Sequence, residues 1–200
     1  MISAYPFPLV GEPLAVDLAN TLAIQKGLQV DLLTATSAAS WWTAHEAELG
    51  PPPPAGALDL ERLRELRDAV VRLLGAALAG TPPPTAAIDL VNAASATGAS
   101  FPRLAWSGGE GPLLESGSRG DAMVTGLGAI ARSAIGLLTD GDAERLRRCD
   151  GPDCELIFVA TNLRRRWCSP TRCGNRVRGA RHYRRHGRAA RNGANDPSNG

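Results

Sequence analysis

Lysine is almost missing from this 200-residue chain: Lys26 is the only one, and the remaining positive charge rests on arginine. Aromatic residues make up only 4%, which leaves few rings on which nucleobases could stack. No cysteine precedes Cys149, which excludes a disulfide scaffold for most of the chain. No apolar run approaches the ~20 residues that a membrane-spanning helix needs. The opening MISAYPFPLVGEP has no basic start and meets Pro6 and Pro8 at once, unlike a secretory signal. These absences predict a cytoplasmic protein with no membrane partner. A Gly-rich phosphate loop, a nucleophile–base pair and paired catalytic carboxylates are all lacking. His182 and His186 stand at i, i+4 without the glutamate of an HExxH site. The chain does not read as an enzyme, and no catalytic residue is assigned.

A hydrophobic content of 44% supports an ordinary globular core. The net charge of +2 hides an asymmetry: residues 1–144 carry 8 basic and 16 acidic side chains, whereas residues 145–200 carry 14 basic and 4 acidic ones. An acidic body with a basic end is the footprint of a polyanion-binding appendage, or of a solvated tail. The clearest helix is Asp59 to Leu78, where Leu60, Leu63, Leu66, Val70, Leu73 and Leu74 recur at three- and four-residue steps. Further helices are expected after Pro13, over 37–49, from Thr85 to Ala96 and from Asp121 to Leu138, the last weakened by Gly126, Gly128 and Gly136. A β-hairpin is expected around Ser107-Gly-Gly-Glu-Gly111, and a short charged helix from Asp142 to Arg148. After Gly187 apolar residues disappear, which predicts a disordered tail.

Cys149-Asp-Gly-Pro-Asp-Cys154 and Cys168-Ser-Pro-Thr-Arg-Cys173 form two C-x4-C pairs. Structural zinc takes four ligands tetrahedrally, and two short pairs closing a small loop supply them. Asp150 to Asp153 are turn formers, Glu155 to Ala160 reads as a strand, and the second pair precedes a basic helix. Cys149, Cys154, Cys168 and Cys173 are therefore the expected ligands of one structural Zn²⁺ in a treble-clef-like layout.

The segment Arg165-Arg-Trp-Cys-Ser-Pro-Thr-Arg-Cys-Gly-Asn-Arg176 resembles the signature of the CGNR zinc-finger family, with Cys173-Gly174-Asn175-Arg176 intact. The N-terminal region is similar to the domain usually joined to that finger, ABATE, described as a "putative stress-induced transcription regulator". Val16-Asp-Leu-Ala-Asn20-Thr21 and the Leu-Arg-Glu-Leu-Arg67 helix carry that likeness. One departure is Ala160, near a position where the finger family commonly has Asp. The resemblance implies an α+β protein: a mainly helical regulatory domain with a small β-hairpin over 1–143, a treble-clef-like finger over 144–188, and a tail over 189–200. It also implies a DNA-binding regulator.

If the stretch from Arg172 onward is helical, Arg178, Arg181 and Arg185 share a face with Arg184 at its border. Arg164, Arg165, Arg166 and Arg176 add a cluster that zinc would bring close. These eight arginines are the expected nucleic-acid contacts, since the guanidinium fork suits phosphate. Asn20, Thr21 and Arg67 either line a pocket for a small-molecule or protein effector or serve as caps and buried hydrogen bonds. DNA is the expected partner. A protein-interaction module and an RNA-binding accessory factor are the alternatives, with Trp167 and Tyr183 the only stacking rings in the basic region. One finger makes few base contacts, so a homodimer fits the specificity requirement. The N-terminal 140 residues are expected to fold by themselves.

Overall fold

The computed structural model describes residues 7–8, 11–25, 27–109, 111–162 and 164–180. Pro13 starts α1 (Leu14–Ala19), and every residue of that helix is buried. The chain then turns into an antiparallel hairpin, β1 (Leu22–Gln25) and β2 (Leu28–Asp31), through Gly27 at φ 79°. The expected helix over 37–49 is broken into α2 (Ala38–Ala44) and α3 (Glu46–Leu49). His45 is the cause. Its ring Nδ1 donates to the Trp41 carbonyl at 2.9 Å, the group a continuing helix would give to the His45 N–H, which bonds the Trp42 carbonyl instead.

The amphipathic stretch forms α4 (Leu60–Ala79), capped by the Asp59 carboxylate on the Arg62 N–H at 3.1 Å and ended by Gly80 at φ 64°. Its Leu63, Leu66, Val70, Leu73 and Leu74 are buried. α5 (Thr85–Thr97) follows Pro84. The hairpin β3 (Ser100–Ser107) and β4 (Gly111–Ser118) comes next, with Leu104 opposite Leu114. Asp121 caps α6 (Ala122–Thr139) through the Val124 N–H at 2.8 Å.

The α6 glycines have a packing role that outweighs their poor helix propensity. A Cβ on Gly128 would lie 2.4 Å from the Gly98 carbonyl oxygen, and one on Gly126 would lie 2.2 Å from the ring of buried Trp42. By length and composition α6 could cross a membrane, contrary to the sequence reading. In the fold it packs against α1, α3, α4 and α5, as a core helix does.

The charged helix expected from Asp142 to Arg148 is a single 3-10 turn, Asp142–Arg145, followed by β5 (Leu146–Arg148). β5 pairs antiparallel with β6 (Ile157–Val159), which buries Leu146. Bonds from the Cys149 N–H to the Leu156 carbonyl and from the Ala160 N–H to the Arg145 carbonyl extend that ladder at both ends. Leu146, Ile157 and Val159 belong to the same buried cluster as Leu18, Trp41, Leu63 and Ile130. The finger hairpin thus completes the core of the helical body. That packing speaks against independent folding of the first 140 residues. The whole is α+β, a helical N-terminal region with small antiparallel sheets and a C-terminal four-cysteine finger.

Candidate metal centre and its basic surround

The turn between β5 and β6 places Cys149 and Cys154, with the Cys154 N–H bonded to the Gly151 carbonyl at 3.2 Å. Gly151 has to be small, because a Cβ there would lie 3.2 Å from the Cys173 sulfur and 3.3 Å from the Cys149 sulfur. The second pair sits at the start of a helical segment. Ser169 caps it, its hydroxyl accepting the Arg172 N–H at 3.2 Å, and Pro170 follows as a first helical residue. After the wide turn Pro170–Gly174 the chain is helical over 175–180.

The four sulfurs lie within 4.8 Å of one another. Cys154–Cys168 and Cys168–Cys173 are separated by 3.8 and 3.6 Å. A tetrahedron with zinc–sulfur bonds of ~2.3 Å has edges of ~3.8 Å, so the donor set fits one zinc ion. Three N–H groups support the sulfurs as thiolates: those of Gly151 and Cys168 point at Cys149, and the Arg176 guanidinium at Cys173, each at 3.4 Å. A hydrogen bond from Cys168 pulls the Cys154 thiol down to about 5, while the same bond and burial push Cys168 up. Burial, first, pushes Cys173 up to about 11. Such crowded sulfurs ionise together only when a cation neutralises them, which is what zinc supplies here.

The motif Cys173-Gly174-Asn175-Arg176 is legible as parts. Cys173 is a ligand. Gly174 is buried, and a Cβ there would lie 3.3 Å from the Arg178 guanidinium and 3.5 Å from the Trp167 ring; Asn175 accepts from the Arg178 guanidinium, and Arg176 donates to Cys173.

The seam to the body is built on the open edge of β6. Asn20 straddles Ile157, its amide donating to the Ile157 carbonyl and its oxygen accepting the Ile157 N–H, both at 2.9 Å. Glu12 accepts the Val159 N–H at 2.7 Å, and Arg165 donates to the Val159 carbonyl at 2.9 Å. Arg165 and Glu12 then close on each other at 2.6 Å, with the guanidinium stacked 4.4 Å from the centre of the Phe158 ring. Three side chains from the sequence neighbourhoods of α1 and the finger loop thereby finish a strand edge that would otherwise be unpaired.

Arg165, expected among the nucleic-acid contacts, is therefore committed internally, also donating to the Cys168 carbonyl at 2.8 Å. Arg164, Arg166, Arg176 and Arg178 are exposed, Arg166 pairing with Asp150 at 2.7 Å. Arg172, which the sequence reading passed over, is exposed beside them. Arg181, Arg184 and Arg185 lie outside the described residues, as do Tyr183 and the tail 189–200.

Asn20, Thr21 and Arg67 are all buried and have structural partners. The Thr21 hydroxyl donates to the Leu18 carbonyl at 2.7 Å, and Arg67 grips both carboxylate oxygens of Asp31 while reaching Asp68 at 3.1 Å. Burial alone would raise the Asp31 carboxyl, but the Arg67 bonds hold it below its ordinary value. A cleft of about 420 Å³ opens elsewhere, between Ala23, Ile24 and Leu32 of the body and Leu156, Arg172 and Arg176 of the finger, and Asn20, Thr21 and Arg67 do not line it. Glu12, the other half of the seam, had no signal in the sequence beyond being a lone acid before Pro13.

Comparison with known families gives two matches. Residues 12–141 match ABATE, whose description is "Putative stress-induced transcription regulator", and residues 145–186 match the CGNR zinc finger. Comparison with curated proteins gives no match.

Proposed function

Because the chain belongs to the ABATE family and carries a CGNR zinc finger, we propose that it is a zinc-dependent transcription regulator that binds DNA through the arginines of its finger. The observation that carries this reading is the exposed group Arg164, Arg166, Arg172, Arg176 and Arg178 around a single four-cysteine centre. Zinc orders the loop that bears Arg164 and Arg166 against the helical segment that bears the other three. Arginine donates to phosphate through a planar fork and stays charged at any physiological pH. A surface ordered in the free protein loses less conformational entropy on binding than a loose tail would. The acidic body, with 16 acidic against 8 basic side chains over residues 1–144, turns away from a polyanion and favours docking by the basic end.

Selection of genomic fragments with the purified zinc-loaded protein tests the proposal. A shared sequence element among the retained fragments is the expected result. Recovery no better than with zinc-stripped protein would reject it and leave an acidic protein surface as the finger's partner.

A further inference from the structure

The hairpin of β3 and β4 stands apart from the body. The two strands pair only with each other, and among the described residues no other element packs appreciably against them. A lone two-stranded hairpin is marginal in water and gains independent stability only from a further partner.

Its two faces differ. On one, the Phe101 ring covers Gly117 across the ladder, and Arg103 approaches Glu115 at 3.5 Å. That face carries a cross-strand charge pair, and its Phe101 and Leu113 are about half as exposed as the large residues opposite, at 43% and 41%. The opposite face carries Leu104 against Leu114 and Trp106 against Pro112, with Pro102 and Ser116 nearer the body. It bears no charge, and Leu104, Leu114 and Trp106 are 72%, 82% and 71% exposed. Scattered apolar residues need no explanation, but three large ones on one uncharged strand face form a patch of the kind that marks an interaction site.

We propose that this face docks on the same face of a second copy, making the protein a dimer joined through its β3–β4 arms. Self-complementarity is the reason for that occupant. A two-fold axis through the Leu104–Leu114 pairs lays each Trp106, bulky and near the turn, over the small Pro102–Ser116 end of the other hairpin. Large meets small at both ends, and no charge is desolvated. The lack of any basic residue on the face argues against nucleic acid as its occupant. The three side chains offer roughly 300–400 Å² per copy. Twice that is about 600–800 Å², to which the flanking prolines and strand backbone add; the total stays below the ~1,200 Å² of stable interfaces, in the range of weak, transient ones. The result is a dimer that forms and dissociates reversibly. It stands independently of the DNA reading, though it would present two fingers together.

Sedimentation equilibrium of the full-length zinc-loaded chain over a hundredfold concentration range tests this. The expected result is a monomer–dimer equilibrium that L104E/L114E weakens at least tenfold and that R103K, which keeps the charge pair on the other face, leaves in place. Because the replaced leucines are exposed, the double variant is expected to keep its circular dichroism spectrum and one zinc per chain. Hydrogen exchange of the parent supplies a check that needs no variant: amides over 100–118 should gain protection as concentration rises. A monomer at every concentration, a dimer that survives L104E/L114E, one that R103K abolishes, or exchange over 100–118 indifferent to concentration would each overturn the proposal.

Discussion

Replacing Asn20 by alanine tests whether body and finger are one cooperative structure. The Asn20 amide makes two 2.9 Å bonds to the backbone of Ile157, which lies 137 positions away and is buried. Alanine would leave the Ile157 N–H and C=O without their partner at a site with no room for bulk water. Each buried polar group stranded in this way costs about 1–3 kcal/mol, so about 3 kcal/mol is expected once local relaxation is allowed for. For a chain of this size that corresponds to a fall in Tm of roughly 6–12 °C. Asn20→Asp, which keeps an acceptor for the N–H and loses the donor to the carbonyl, is expected to be destabilised as well, because it buries a carboxylate beside that carbonyl. The same change should loosen the zinc site, since β6 leads directly out of the first cysteine pair. Thermal melts and the rate of zinc transfer to a chromogenic chelator would be measured on the same preparations. A loss of less than about 1 kcal/mol in Asn20→Ala, or zinc release at the parent rate, would refute a single cooperative structure of body and finger.

Two further predictions follow from the core. A chain ending at Asp140 removes Leu146, Ile157 and Val159 from the main buried cluster and leaves Glu12 and Asn20 without strand partners. It is expected to aggregate or to melt without a sharp transition, and a soluble fragment with a cooperative calorimetric melt would contradict the single-core description. Burial on its own would lower the pKa of His45, but bonds to Asp17 and to the Trp41 carbonyl outweigh it and raise the group above its ordinary 6.5. The charged His45–Asp17 pair therefore contributes fully below about pH 6.5 and is lost as pH rises through the raised value. Urea titrations across that window should show the parent losing stability relative to His45→Gln, and parallel pH profiles would refute the assignment.

Helices with a clear period and punctuation were legible in the sequence, as was the metal centre. α4 has leucines at three- and four-residue steps between Asp59 and Gly80, and the cysteine pairs have one economical use in so short a span. Hydrogen bonds decided by tertiary partners were not. His45 breaks 37–49 because its ring takes the Trp41 carbonyl, and Leu146–Arg148 becomes a strand because Ile157–Val159 lies beside it. Leu22 to Asp31 carries too weak an alternation to distinguish a hairpin from the end of a helix. Arg165 illustrates the limit of charge counting. In the run Arg164-Arg165-Arg166 the middle residue points inward to Glu12 and Phe158, which only the fold reveals.

Fluorescence anisotropy of a labelled duplex at graded salt tests most directly the proposal that zinc-ordered arginines on the finger bind DNA. The comparison is between the zinc-loaded parent and a variant with Arg164, Arg172 and Arg178 replaced by alanine; Arg176 is retained because it donates to Cys173. For the parent, log affinity should fall linearly with log salt, and the slope should lessen by about 0.9 for each phosphate contact removed. The variant should bind more weakly while holding one zinc per chain. Equal affinity and slope in the two proteins, or a parent that binds no duplex even at low salt, would contradict it.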